Sequence, residues 1–307
     1  MDCIILAGNR ENYRDVCHED NKAFLPIGDK SILQIMLEEL RAVPEIDRFL
    51  VVGPKKRLQE QVTADFVGNF PKPLLLFEQK NDLVENVLAV FKTTTDEAHA
   101  DRYVLILPSD IPLLIAEEVR QFIKNCDMER FDYVGGLTTD KALSRFGPKE
   151  EKPGVCMAYF YCEDKRYRIN NLHMVRPARI KRLSYIRKTY GMRYQKKFVN
   201  ILKMIFHLGL AGFWAPGAIP FYLGLQTARW LHNLNWNKTA ALLQKHFTLA
   251  RLEKNLSQLL GTRLRLQVTE FGGTAIDVDN ESDYLAICQR FGEWVAMQKS
   301  LAAEGVR

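Results

Sequence analysis

Five short apolar runs, at 3–8, 49–53, 73–78, 103–108 and 133–137, follow one another without polar alternation, and this constrains the fold more than anything else in the sequence. A strand that alternates apolar with polar residues has one wet face, whereas a continuously apolar strand has to be covered on both. The covers are present between the runs. Segments 31–42, 55–66, 83–91 and 116–126 repeat apolar residues at spacings of three and four, as amphipathic helices do. Strands alternating with helices predict an α/β domain whose sheet is mostly parallel and Rossmann-like, flanked by helices. Two more strands are expected at 154–162 and 171–175, joined by a polar turn at 163–170. After Pro177 the pattern turns helical and basic until about Gly261. Strand character then returns at 264–268 and 273–278, before a closing helix at 281–294 with Asn280 as its cap. The predicted organisation is one domain made of 1–177 with 264–298, and an insert at 178–263. A chain of 307 residues is long enough for both.

Charge divides the chain in a related way. Residues 164–265 hold 20 Lys and Arg against two acidic residues, Asp164 and Glu253, and the rest of the chain holds 23 basic against 35 acidic. Two regions of opposite charge imply different partners for each. The six cysteines (Cys3, Cys17, Cys126, Cys156, Cys162, Cys288) show no metal or disulfide spacing and read as reduced, buried thiols. The opening MDCIILAG carries an acidic residue where an export signal needs basic ones, so a cytoplasmic location is expected.

Ligands of an open α/β sheet sit beyond the carboxyl ends of its strands. The first strand is followed there by Leu6-Ala7-Gly8, a polar loop, and then Asn21-Lys22-Ala23-Phe24-Leu25-Pro26-Ile27-Gly28. A glycine at that exit lets backbone N–H groups approach a triphosphate, and a lysine downstream can neutralise it. The fourth strand leads into Pro108-Ser109-Asp110-Ile111-Pro112, where a carboxylate fixed between two prolines suits a hard cation such as Mg²⁺. Asp277 and Asp279 form a second acidic pair at a late strand-to-helix junction; strand alternation would point both to one side.

In that order these motifs resemble the nucleotidyltransferases of the GT-A type, and the first is most similar to the molybdenum-cofactor guanylyltransferases, with their LAGG opening and D-K-A-L-L-P-L-G-like segment. The resemblance covers roughly 1–177 and 264–292. It implies that Leu6, Ala7, Gly8 and Asn9 line the nucleotide, that Lys22 contacts its phosphates and that Asp110 holds Mg²⁺. By likeness to the D-T-P-E-D segment of sugar-acid cytidylyltransferases, Asp279 becomes the second metal ligand, with Asp277 beside it. Asn9 stands where the family has its second glycine, and either Arg10 or Arg14 takes the place of the family's loop arginine. Gln79 and Asn86 fall where the family reads the nucleobase; as helix-capping residues they would be explained equally well. Asn170 and Asn171, ahead of the strand at 172–175, resemble the acceptor-side loop.

The implied reaction is attack by a phosphorylated acceptor (a sugar phosphate, an alcohol phosphate or a lipid-pathway precursor) on the α-phosphate of an NTP. A phosphate oxygen is already ionised, so alignment and charge neutralisation suffice and pyrophosphate leaves. The competing readings are a GT-A glycosyltransferase using Asp277-Val278-Asp279 as its metal motif, which would have no need of the Gly8 to Lys22 phosphate loop, and a non-catalytic nucleotide-binding accessory protein.

Residues 204–228 carry no charged side chain with histidine neutral. Twenty-five such positions could span a bilayer, but Asp110 and Asp279 flank them and have to meet on one side, and the arms of a hairpin turning at 214–217 are too short. A segment lying in a membrane interface, a buried helical hairpin and a homodimer contact remain. Basic residues from Arg176 to Lys203 have no acidic residue among them, and with Phe213, Trp214, Phe221 and Tyr222 they favour an anionic membrane surface as partner of 176–231. Nucleic acid is disfavoured.

Overall fold

The computed structural model describes residues 1–9, 16–162, 165–192 and 246–305, together with the single residues 217, 220, 223, 224, 227, 234 and 236. Its centre is an eight-stranded sheet ordered β10-β7-β9-β6-β1-β4-β5, with β8 paired to β9 off this path. The strands are β1 (Asp2–Leu6), β4 (Arg48–Gly53), β5 (Leu74–Glu78), β6 (Val104–Pro108), β7 (Tyr133–Thr139), β8 (Phe160–Cys162), β9 (Lys165–Val175) and β10 (Leu264–Thr269). β1 runs parallel to both β4 and β6, β4 to β5, and β7 to β10. Among these strands β9 alone runs against the common direction: it lies antiparallel between β6 and β7 and pairs antiparallel with β8.

The continuously apolar strands in the middle of the sheet are covered on both faces, whereas β5, at its edge, leaves Leu75 exposed. Cys3, Ile5, Phe49, Val51, Leu105 and Leu107 point into one layer with α1 (Ile32–Leu40), α5 (Ala116–Asn125) and α9 (Glu281–Ala303). Their neighbours Ile4, Leu50, Val52 and Val104 point into the other, against Val87, Val90 and Phe91 of α4 (Leu83–Thr94). Each such side chain taken fully out of water contributes about 1.5–3 kcal/mol, enough to set the register of every strand.

Register also aligns the strand ends. Leu6 lies opposite Val52 on one side and Pro108 on the other, and the bonding continues past the strands through Ala7 N–H to Val52 O, Ser109 N–H to Leu6 O and Gln79 N–H to Gly53 O. At Gly53 a Cβ would lie 2.5 Å from the Ala7 carbonyl oxygen, so this close approach requires glycine.

Several boundaries differ from expectation. The segment 55–66 divides into α2 (Lys55–Gln61) and α3 (Ala64–Asn69), because the Thr63 side chain caps a new helix by accepting from Phe66 N–H. Strand 154–162 shrinks to Phe160–Cys162, while β9 starts at Lys165, so Asn170 and Asn171 lie inside a strand and not in a loop before it. The expected strand at 273–278 is a single turn at Gly273–Ala275 followed by irregular chain. Gly272 at φ 104° turns it away from the ladder, and Val278 N–H bonds to Asp110 O. A small hairpin, β2 (Pro26–Ile27) with β3 (Lys30–Ser31), turns at Gly28 with φ 67°. Asn280 caps α9 as expected, but the helix continues to Ala303. The six cysteines are free thiols. Cys3 and Cys162 are buried as expected, whereas Cys17 and Cys156 are exposed.

The described helices between 178 and 263 are α7 (Leu183–Met192) and α8 (Leu249–Leu260). Leu183, Tyr185, Ile186 and Leu256 pack with Val175 and Leu264 of the sheet and with Leu260 at the end of α8. Basic residues expected to lack acidic partners find them elsewhere in the chain. Arg179 pairs with Asp101 and Asp132, Arg176 with Asp101, and Arg187 with Asp82 and Glu85 at 3.2 and 3.7 Å. Charges scarce within each region in sequence meet in space, so part of the asymmetry is satisfied within the protein. Phe213, Trp214, Phe221 and Tyr222 lie outside the described residues. No described helix is long and apolar enough to cross a membrane.

Candidate active site

The loop leaving β1 is fastened from two sides. Asn21, buried at its far end, donates from Nδ2 to Ala7 O at 2.9 Å and accepts Ala23 N–H on Oδ1 at 3.0 Å. This caps the turn Lys22–Phe24 and carries Lys22 back under the end of β1. On the other side Gln79 grips the backbone of Asn9, its Oε1 accepting Asn9 N–H at 2.8 Å and its Nε2 donating to Asn9 O at 3.3 Å. A Cβ on Gly8 would lie 3.0 Å from Gln79 Oε1 and 3.7 Å from Asn86 Nδ2. Gln79 and Asn86 therefore do converge on the Gly8 loop. Neither caps α4: Asp82 does, accepting Glu85 N–H, while Asn86 accepts Lys80 N–H. Arg10 and Arg14 lie outside the described residues.

The lysine and two of the three expected carboxylates come together. Lys22 Nζ stands 3.5 Å from Asp110 Oδ2 and 3.6 Å from Asp279 Oδ1, with the lysine side chain 5% exposed. Sequence places these residues far apart; the Val278 N–H to Asp110 O bond at 2.9 Å sets their loops side by side. Asp277 turns elsewhere. Its Oδ1 accepts from Arg168 Nη2 at 2.7 Å, and Arg168 Nε donates to Ala275 O, so the expectation that Asp277 and Asp279 share one side fails where the chain is not a strand. Burial, and then the charge of Asp279, push the Asp283 carboxyl above its usual range.

These residues fit a hard divalent cation in one respect: two carboxylates already converge on a single cationic group. Among the described residues no cluster of three or more metal-ligating side chains exists. Mg²⁺ is commonly held by one or two carboxylates and completed by water and substrate phosphates, so the donor set suits it only alongside a phosphate ligand.

Asn170, 1% exposed, is committed inside the sheet. Its Nδ2 donates to the Thr138 and Thr269 hydroxyls and its Oδ1 accepts Leu172 N–H, an arrangement incompatible with the acceptor contact expected for it. Asn171 donates to Thr274 O at 2.9 Å and so steadies the segment leading to Asp279. Sequence reasoning missed two further supports. Glu118, fully buried, accepts from Thr269 Oγ1, Gly272 N–H and Thr274 N–H, and Gln298 bridges Gly273 N–H to Leu113 O. A signal for Glu118 was present, because it falls among the buried residues Ala116, Val119, Phe122 and Ile123 of α5. Arg57 was missed as well. It pairs with Glu19 and Asp20 and lies 4.6 Å over the Phe24 ring, bracing the Lys22 turn.

A Rossmann-like sheet with a glycine loop, a lysine and two carboxylates at its carboxyl ends defines a domain of the nucleotidyltransferase type. Residues 3–153 match the MobA-like NTP transferase domain, so this part of the chain belongs to the NTP transferase family. Its fold is similar to that of a hypothetical transferase from Thermus thermophilus, with a TM-score of 0.59 at 20% identity over 92% of this chain and 98% of that one. It is also similar to CMP:2-keto-3-deoxy-manno-octonic acid synthetase complexed with CTP, with a TM-score of 0.50 at 10% identity over 95% and 98%. No curated protein matches the sequence.

Proposed function

We propose that the protein transfers a nucleotidyl group from an NTP to a phosphorylated acceptor and releases pyrophosphate. The observation that carries this reading is the meeting of Lys22, Asp110 and Asp279 beside the Gly8 loop. In this reading an acceptor phosphate oxygen attacks the α-phosphorus, the new P–O bond forms, and the bond to the β-phosphate oxygen breaks. The backbone N–H groups after β1 and the Lys22 ammonium neutralise the phosphates, and the tethered Asn9 loop fixes their position. Asp110 and Asp279 would hold Mg²⁺, which supplies charge neutralisation at the reacting phosphate. Gln79 and Asn86, beside Gly8, are the candidates for reading the nucleobase. Support comes from the match of residues 3–153 to the MobA-like NTP transferase domain and from a structural relative complexed with CTP.

The test is pyrophosphate release from each of the four NTPs with a panel of phosphorylated acceptors. One pairing should give turnover that needs Mg²⁺, and Asp110→Asn should abolish it without lowering the melting temperature. Release of NDP from nucleotide-sugars, with no pyrophosphate from any NTP, would overturn the reading in favour of a glycosyltransferase.

A further inference from the structure

We propose that Lys22 is the resident counter-ion of the Asp110–Asp279 pair and keeps divalent cations off it until a triphosphate draws the ammonium away. Its Nζ lies almost equally far from the two carboxylates, at 3.5 and 3.6 Å, where a cation shared between them would have to sit. Lys22 is itself buried, 4% exposed, and Asp110 is largely buried, so little solvent screens these two from each other; Asp279, its side chain 42% exposed, is the more screened partner. An ammonium and a divalent cation carry the same sign and seek the same oxygens, so one excludes the other.

The surroundings allow an exchange. Lys22 opens the turn that Asn21 fastens to Ala7 O, so its anchor lies directly behind the Gly8 loop, where phosphates would enter. The phosphate oxygens offer the ammonium stronger partners. The carboxylate oxygens it leaves can then take a divalent cation, and the phosphates complete a ligand set that two carboxylates alone do not fill. The triphosphate-driven half of this exchange rests on the nucleotidyltransferase reading; the competition between Lys22 and metal does not.

The experiment titrates the full chain with Mn²⁺, read by the electron paramagnetic resonance of the free ion. Without nucleotide, Lys22→Met should bind Mn²⁺ about tenfold or more tightly than wild type, as expected for removing a charge within about 4 Å. Adding Asp110→Asn to that variant should erase the gain. Wild type binding nucleotide-free Mn²⁺ as tightly as Lys22→Met would overturn the proposal. Lys22→Gln, neutral and hydrogen-bonding, serves in its place should the methionine variant not fold. Wild type alone provides a further check. Millimolar Mn²⁺ should leave its melting temperature unchanged without nucleotide, and raise it beyond nucleotide alone when a non-hydrolysable α,β-methylene NTP is present; a rise without nucleotide would sink the idea. If Lys22→Met gains metal but no analogue of any base alters Mn²⁺ binding to wild type, the triphosphate exchange fails together with the nucleotidyltransferase reading. If only the Lys22→Met gain is missing, the proposal falls and that reading stands.

Discussion

His173, on β9, has its Nδ1 3.1 Å from the Tyr133 hydroxyl, and burial pushes the ring down to about 4 and the phenol up to about 12. The unfolded chain takes up a proton near the usual histidine value of about 6.5, whereas the folded chain stays neutral until about 4. The unfolded state therefore binds more protons within this window, and stability falls as pH drops through it, by at most about 1.4 kcal/mol per pH unit. Urea midpoints at pH 7 and pH 5 should show this loss in wild type and a smaller one in His173→Gln. Equal losses would remove His173 as the cause. At the same scale the sequence singled out Lys22, Asp110 and Asp279 by residue type and by resemblance, and the structure brings the three side chains together. It did not separate Asp277 from Asp279. That depended on whether the segment joins the ladder, and a glycine at φ 104° keeps it out.

Among the elements, the turn between β10 and α9 has the most influence on the site, because it carries Asp279 to Asp110. It is held by partners from elsewhere in the chain: Glu118 on α5, Gln298 on α9, and Arg168 and Asn171 on β9. Burial raises the Glu118 carboxyl, while the hydrogen bonds it accepts from Thr274, Gly272 and Thr269 oppose that shift. Glu118→Ala would leave the Gly272 and Thr274 N–H groups buried without an acceptor, at about 1–3 kcal/mol each, while the Thr269 hydroxyl still has Leu137 O. The variant should melt well below wild type and lose pyrophosphate release as Asp279 drifts. A variant with unchanged stability would show that the turn does not depend on this carboxylate. Apolar periodicity found the helices and most strands, but it gave no view of β9 as an antiparallel strand inside a parallel sheet, since strand direction leaves no mark on composition.

In the molecule as a whole, acidic residues of the sheet domain face basic residues of the insert. Asp132 is held below the usual carboxylate range first by its bond to Arg263, with the Arg179 charge adding to this. Arginines spent in this way are not available to an anionic surface. Attachment to vesicles of acidic lipid, if the insert makes it, should then depend on the remaining cations and on Phe213 and Trp214. Cosedimentation of wild type should be only partly reversed by salt, and that of a Phe213→Ser, Trp214→Ser variant fully reversed. No sedimentation of wild type would exclude a membrane partner. The sequence by itself determined the two-faced apolar strands, the helices over them, and the glycine, lysine and aspartates at the strand ends, because these follow from local spacing and from which side chains water rejects. Only tertiary structure decided that Lys22 would lie between Asp110 and Asp279, that Asn170 would be enclosed in the sheet, and that the basic insert would find acidic partners in the domain that encloses it. Each of these is a contact between residues far apart in the chain, fixed by strand order and by the buried bonds that hold the loops together.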